Sequence, residues 1–462
     1  MNYPAWDVAH IGSGWVIGII AIFHVLISHF AVGGGLYLPI AERKALKEGR
    51  REWLNLLRKH SRFFLILTGV FGAVSGVGIW FAIGLANPEA TSALIHNFVF
   101  AWAAEWVFFL VELSCAAVYY YTWDRVSPRL HLAVGWLYAA ASLATLIIIN
   151  GILTFMLTPG EAWLSAAGTG REASQFWPAF FNPVYWPSLF LRILVCLNLA
   201  GVWALASYSK IAKASDGLRA ETLRWSARWI APGFLLLPVF LAWFLWSLPE
   251  PRRALLELGV HTIGPGAFTQ ATRAALVVLV ASAGVAGLVY LFAWKSPRDF
   301  GFSHAAAVLA LAAAATGAGE YTRELLRKPY VVVRYMYSNG VRVQDAARFN
   351  REGFLTRSLW AAGAASLEKR GEAMFRGQCM ACHTRKGYRS MRRLLAGRNE
   401  ESIGNLLRTL HEHKEDSPYR AFMPPLVGTE EEIAALKTYL AKLAAPSGGE
   451  EKSAVVKQIA SQ

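Results

Sequence analysis

Eight long apolar runs dominate the first two thirds of the chain, at roughly residues 12–40, 62–86, 97–122, 131–158, 184–209, 229–248, 273–294 and 302–325. A bilayer core takes about 20 apolar residues per helix. Most of these runs are apolar all round, as lipid-immersed helices are, rather than along one stripe. Strands are excluded, because the runs are too long and an open sheet leaves backbone groups unsatisfied in lipid. The pattern predicts an all-α polytopic bundle of eight transmembrane helices. Small-residue spacing such as Gly72 to Gly76 fits close helix packing. The apolar pattern stops near residue 330. Four segments are expected: a membrane bundle over 1–330, a connector over 331–370 with one amphipathic helix near 352–368, a small soluble domain over 371–445, and a flexible tail over 446–462.

Composition agrees with the pattern. Hydrophobic residues make up 55% and charged residues 17%, which excludes a disordered chain and argues against an ordinary soluble enzyme. The net charge of +15 sits largely in loops. The loops after the first, third, fifth and seventh runs carry 17 basic against 7 acidic side chains, and the opposite side carries 4 against 6. The positive-inside rule then puts both ends of the bundle outside the cytoplasm. No Lys or Arg precedes the first run, so it does not read as a cleavable signal peptide. Residues 371–462 hold 14 basic and 11 acidic groups, so no nucleic-acid partner is expected.

Residues Cys379-Met380-Ala381-Cys382-His383 form a C-x-x-C-H haem attachment motif. Two thiols add to the haem vinyls and His383 becomes the proximal iron ligand. A zinc site would need a second soft pair, and the other two cysteines, Cys115 and Cys196, lie in apolar runs where they read as core residues. Residues 371–445 resemble a class I cytochrome c. Gly371 and Phe375 precede the motif, and Tyr439 stands in a closing helix over 430–444. Met423, in Met423-Pro424-Pro425, falls 40 residues after His383, where that family carries its axial Met. His411, His413 and Met391 are the alternatives. Covalent haem is attached on the extracytoplasmic side in bacteria, the side to which loop charge assigns the C-terminus.

Ionisable residues inside membrane helices are expensive and are functional candidates by default. The first run holds His24 and His29, which point about 140° apart at helical spacing, so one haem cannot use both. The third holds Glu105 and Glu112, seven residues apart and so on one face, a spacing that suits a proton relay. Arg192 lies in the fifth run. The eighth ends with Glu320, Arg323, Glu324 and Arg327. Arg192 and Arg323 read either as paired structural ions or as partners of haem propionates. His10, His60, His96, His131, His261 and His304 are weak candidates near span ends.

These residues together resemble subunit I of the cytochrome bd-type oxygen reductases. The carriers are Ile22-Phe23-His24-Val25-Leu26 followed by Gly33, then Phe108-Phe109-Leu110-Val111-Glu112, Trp123-Asp124-Arg125, Asn150-Gly151, and Glu324-Leu325-Leu326-Arg327-Lys328-Pro329-Tyr330. The resemblance covers roughly residues 10–335. It implies that His24 and Glu324 ligate high-spin haems, that Arg327 lies near the second of these, and that Glu112 serves the di-haem site and its proton supply. It also implies a related second membrane subunit. Four departures are plain. After Asn182-Pro183-Val184, where the family has the His ligand of its low-spin haem, the chain reads Leu189-Phe190-Leu191-Arg192. The seventh run has no Met to serve as the other ligand. The loop over about 249–272 is short beside the family's quinol-binding loop. A ninth span is missing, and the c-type domain stands in its place.

The parts imply a bacterial inner-membrane protein in which a periplasmic or membrane-bound cytochrome c donor reduces one covalent haem c. Electrons would pass on to b- or d-type haems, expected to number two, where O₂ is reduced. Cys379, Cys382, His383, Met423, His24, Glu324 and Arg323 are the expected cofactor contacts, and Glu112, Glu105 and Arg327 the expected catalytic groups. Two other functions fit the same residues: an electron-transfer subunit without oxygen chemistry, and a reductase of NO.

Overall fold

The structure is a computed structural model and describes residues 6–210, 216–250, 253, 267–361 and 364–445. The tail over 446–462, His261 and most of the short loop over 249–272 lie outside the described residues.

Among the described residues, eight helices are long and apolar enough to cross a membrane: α1 Ser13–Lys47, α2 Arg51–Ala86, α3 Val99–Tyr121, α4 Pro128–Phe155, α5 Tyr185–Ser209, α6 Gly217–Trp246, α7 Thr272–Lys295 and α8 Phe302–Arg327. The chain is a multi-pass membrane protein. Local chemistry sets the ends. Ser127 caps α4 by accepting from the Leu130 N–H, and Pro128 occupies the first turn, where its missing donor costs nothing. Two helices contain a π-helical stretch, Leu67–Gly72 in α2 and Val289–Lys295 in α7.

Two expected loops are helical instead. Residues 41–62 are absorbed into the end of α1 and the start of α2, and residues 216–228 form a helix. The reason is amphipathicity. Arg51–Ile66 buries Trp53, Leu56, Leu57, His60, Ser61 and Phe64 on one face while its basic groups point outward. These residues join Phe30, Tyr37, Tyr208 and Phe300 in the main core. His60 sits there among the rings of Phe30, Tyr37, Phe63 and Tyr208. Neither of its nitrogens has a hydrogen-bond partner among the described residues.

The chain divides into two compact units. One is the bundle, residues 18–81 and 92–327. The other joins residues 1–17 and 82–91 to everything from Lys328 onward. In this second unit the connector is not a separate linker. It forms a hairpin, β1 Tyr330–Val332 against β2 Met336–Tyr337, then α9 Ala346–Glu352. The amphipathic helix expected over 352–368 does not form. Gly353, at φ 92°, ends α9, and only a 3-10 turn at Leu359–Ala361 follows.

Among the described residues four further helices follow in this unit: α10 Leu367–Gln378, the short Met391–Leu394, α11 Glu400–Glu412 and α12 Glu430–Ala444. Its core comprises Met374, Phe375, Leu395, Ile403, Leu407, Val427, Leu436 and Leu440. α10 crosses α12 at Gly371, where a Cβ would lie 2.2 Å from the Ala435 carbonyl oxygen. Only glycine permits that approach. Beside the crossing, the Phe375 and Tyr439 rings lie 5.7 Å apart.

α12 begins with a capping box between Thr429 and Glu432. Glu432, 3% exposed, also accepts from the backbone N–H groups of Phe354 (2.8 Å) and Leu355 (2.9 Å). One buried carboxylate thus ties the connector to the closing helix.

Candidate functional site

In the bundle, the π-helical stretch of α2 ends beside His24 of α1. The Ser75 hydroxyl donates to the carbonyls of Phe71 (2.6 Å) or Gly72 (3.1 Å). With its proton given to a carbonyl, it accepts from His24 Nδ1, 3.0 Å away. In that arrangement His24 is the Nδ1–H tautomer, and Nε2 carries the lone pair that an iron would take. Gly76 leaves room for the ring, since a Cβ there would sit 3.3 Å from His24 Cε1. π-helical insertions recur at functional sites because they re-aim the following residues.

His29 is committed elsewhere. Its Nδ1 donates to the Val25 carbonyl at 2.9 Å, so Nε2 is an acceptor. The Arg192 guanidinium of α5 donates to that nitrogen at 3.4 Å. Glu320 of α8 interacts electrostatically with Arg192, Arg323 and His29, and pairs with Arg323 at 2.9 Å. Glu324 pairs with Arg327, which is 7% exposed and whose Nη1 lies 3.7 Å from Met156 Sδ. Three arginines thus face two glutamates. Arg192 Nε and Arg323 Nη1 are buried with no hydrogen-bond partner among the described residues. Their spare donors and the one excess positive charge fit an acidic group such as a haem propionate.

A second polar track runs between the antiparallel helices α3 and α4. On α3, Glu105, Glu112 and Tyr119 repeat every seven residues; on α4, His131, Tyr138 and Thr145 do the same. Glu112, 8% exposed, accepts from Thr145 Oγ1 at 2.5 Å. Tyr138 interacts electrostatically with Glu112, and its hydroxyl donates to the Ala31 carbonyl. At the end of α3, the Tyr119 hydroxyl donates to Glu42 at 2.7 Å, and His131 Nδ1 lies 2.8 Å from the same carboxylate. His131 Nε2 donates to the Tyr119 carbonyl at 2.9 Å. Glu105 is half-buried and makes no hydrogen bond among the described residues.

Ser75, Thr145, Tyr138 and Glu42 escaped the sequence reading, and His131 was ranked among the weak candidates. Part of the signal was available: Tyr119 continues the seven-residue repeat of Glu105 and Glu112. Cys115 and Cys196 are both buried, as core residues are.

In the other unit, His383 Nδ1 donates to the Arg389 carbonyl at 3.1 Å, again leaving Nε2 for iron. Burial holds the His383 imidazole below its ordinary range, which keeps that nitrogen a free base. Cys379 and Cys382 are free thiols. Burial and the neighbouring Cys382 push the Cys379 thiol up to about 12. Lys328 Nζ and Ser338 Oγ lie 3.6 and 3.8 Å from Cys382 Sγ. Met423 is half-buried, with its N–H on the Tyr419 carbonyl at 2.8 Å. Of the alternatives, His411 is engaged through Nδ1 with the Leu426 carbonyl at 2.9 Å, whereas His413 Nε2 has no partner among the described residues. The donor set of two thiols, a free imidazole nitrogen and a thioether fits a covalently held haem.

The sequence model of the cytochrome bd terminal oxidase subunit I family matches residues 13–245. The chain belongs to that family. Cytochrome bd-II ubiquinol oxidase subunit 1 of Escherichia coli (strain K12) is 26% identical over 185 residues, 39% of this chain and 35% of that protein. The chain thus spans about a third of the length of that curated relative. The bundle fold is shared with the bd oxidase of Geobacillus thermodenitrificans, at a TM-score of 0.56 and 18% identity over 69% of this chain and 87% of that one. The matched stretch in this bd-family chain contains His24, Glu105, Glu112 and Arg192. It also contains the stretch Leu189–Arg192, which holds no His and whose Arg192 binds His29.

Proposed function

We propose that this chain is the haem-bearing subunit of a membrane terminal oxidase that receives electrons at a C-terminal haem c and reduces O₂ in the bundle. The observation that carries the reading is the 3.0 Å contact between Ser75 Oγ and His24 Nδ1. In a bd-family bundle, Ser75 holds Nδ1–H and leaves Nε2 as an iron ligand. Haem, when bound, supplies the electron transfer and O₂-binding chemistry.

The remaining work belongs to the chain's own residues. Glu324 is the expected carboxylate ligand of the second high-spin haem, and Arg327 holds its charge in place. Arg192 and Arg323 offer buried donors to haem propionates. Glu112 holds a proton on the carboxyl that Thr145 positions, and Glu105 lies on the same face of α3. The His131–Glu42 pair lies at the far end of the same track, joined to it by the Tyr119 hydroxyl. Cys379 and Cys382 anchor haem c, with His383 and Met423 as its axial ligands. An extracytoplasmic C-terminal unit, as the loop charges imply, would meet a periplasmic or membrane-bound cytochrome c donor. A second membrane subunit completes the assembly, as family membership implies.

The alternative, an electron-transfer subunit without oxygen chemistry, draws on one observation: the Glu324 carboxylate is already paired with Arg327. A reduced-minus-oxidised spectrum, repeated after adding CO, separates the two. A haem-c band together with a CO-shifted high-spin band that Glu324→Ala abolishes supports the oxidase. Haem c with only CO-silent low-spin haem overturns it. O₂ and NO consumption assays then separate oxygen from nitrogen-oxide chemistry.

A further inference from the structure

The second unit contains a cavity of about 530 Å³ whose wall includes Met380 and Ala381 of the haem-attachment motif. Cys379, Cys382, His383 and Met423 are not among its lining residues. Four arginines line it, Arg342, Arg348, Arg357 and Arg376, against two carboxylates, Glu89 and Asp345. Asp345 is taken by Arg348 at 3.0 Å. Arg376 is held by Glu372 at 2.8 Å and stacks 4.9 Å from the Trp360 ring centroid. Arg342 and Arg357 have no ion-pair partner among the described residues. Two buried donors also lack a hydrogen bond there, Arg348 Nε and Asn339 Nδ2.

With Asp345 and Glu372 spent, Arg342 and Arg357 face Glu89 with one positive charge in surplus, and the buried donors Arg348 Nε and Asn339 Nδ2 are costly to leave without an acceptor. Guanidinium forks match the oxygens of a phosphate and bind it through parallel hydrogen bonds. The level of the cavity narrows the source. Its wall includes Ser13, the first residue of α1, and Ala86, the last of α2, so it opens where two membrane spans end. Trp6 and Trp360 also line it, the side chains that favour the headgroup layer. The Trp6 N–H donates to the Leu85 carbonyl at 2.7 Å, which fixes that rim.

We infer that this cavity binds a phosphate group, supplied by an anionic phospholipid of the adjoining leaflet, through Arg342, Arg348, Arg357 and Asn339. The site is independent of oxidase activity and of the haem assignments.

The test uses the full chain in nanodiscs of phosphatidylcholine alone or with one quarter phosphatidylglycerol. Lipid retained after detergent release is read by native mass spectrometry. Retained phosphatidylglycerol, and at least about tenfold less of it in the Arg342→Gln/Arg357→Gln double variant, supports the lipid-bound site. The Arg342→Lys/Arg357→Lys variant keeps the charge and should regain part of the retention. Far-UV circular dichroism and the thermal midpoint of each variant report that the protein is folded. Tight binding of inorganic phosphate that the same Gln pair abolishes, without lipid retention, supports the phosphate site with a soluble source. Equal retention of phosphatidylcholine and phosphatidylglycerol with no phosphate binding, or retention unchanged in a folded Gln pair, overturns the inference.

Discussion

His131 Nδ1 lies 2.8 Å from Glu42 Oε1, with the two side chains 4% and 3% exposed. The pair joins α4 to the end of α1, and the Tyr119 hydroxyl closes it from α3. Removing one partner strands a buried charge or an unsatisfied polar group, at a cost on the order of 3–5 kcal/mol. His131→Leu should therefore lower the thermal midpoint of the detergent-solubilised protein sharply. The double variant with Glu42→Leu should recover part of the loss. Equal midpoints for the single and double variants would show that the two groups are not coupled.

Ser75 orients His24, so its removal should act through the metal. Ser75→Ala is expected to weaken haem retention in the bundle by about 10–100-fold, as loss of an outer-sphere hydrogen bond does. Ser75→Thr keeps the acceptor and should restore it. Pyridine haemochrome analysis gives the b-type to c-type ratio directly. An unchanged ratio in the Ala variant would break the link between this hydroxyl and a haem ligand.

Glu432 accepts from the N–H groups of Phe354, Leu355 and Thr429. Glu432→Gln retains the size but offers a donor toward the same N–H groups, with an expected loss of roughly 2–4 kcal/mol. Thr429→Ala removes only the cap and should cost about 1 kcal/mol. Urea midpoints followed on the haem-c band should rank the two variants in that order.

At Gly371 the predicted effect is steric. A methyl group 2.2 Å from the Ala435 carbonyl oxygen forces α10 away from α12, at about 1–3 kcal/mol. Gly371→Ala should lower covalent haem yield on a denaturing gel, while the neighbouring exposed substitution Lys369→Ala leaves it unchanged.

His29 offers a check on the alternative function. Its Nε2 accepts from Arg192, so His29→Leu should leave the visible spectrum of the bundle unchanged. Disappearance of a low-spin band in that variant would instead make His29 a haem ligand and favour electron transfer without oxygen chemistry.

The membrane bundle was legible from the apolar runs because lipid leaves a spanning chain no other choice than the helix. The C-x-x-C-H motif was legible as well, since its two thiols and imidazole lie within five consecutive residues. The span limits were less so. Residues 41–62 read as a charged loop, yet Trp53, Leu57 and His60 are buried on one face of a helix. The partition at 330/331 was also drawn from composition alone. Hairpin pairing between Tyr330 and Tyr337, and the bonds from Phe354 and Leu355 to Glu432, join the connector to the C-terminal helices instead.

Local sequence by itself determined the membrane class, the loop-charge asymmetry, the haem-c motif and the shared face of Glu105 and Glu112. These depend on transfer energy and on residue spacing within one segment. Which lone pair of His24 is free, where Arg192 points, and how Glu42 finds His131 were decided only in three dimensions. Those partners lie 51, 163 and 89 residues apart, and no local pattern records a hydrogen bond between separate helices.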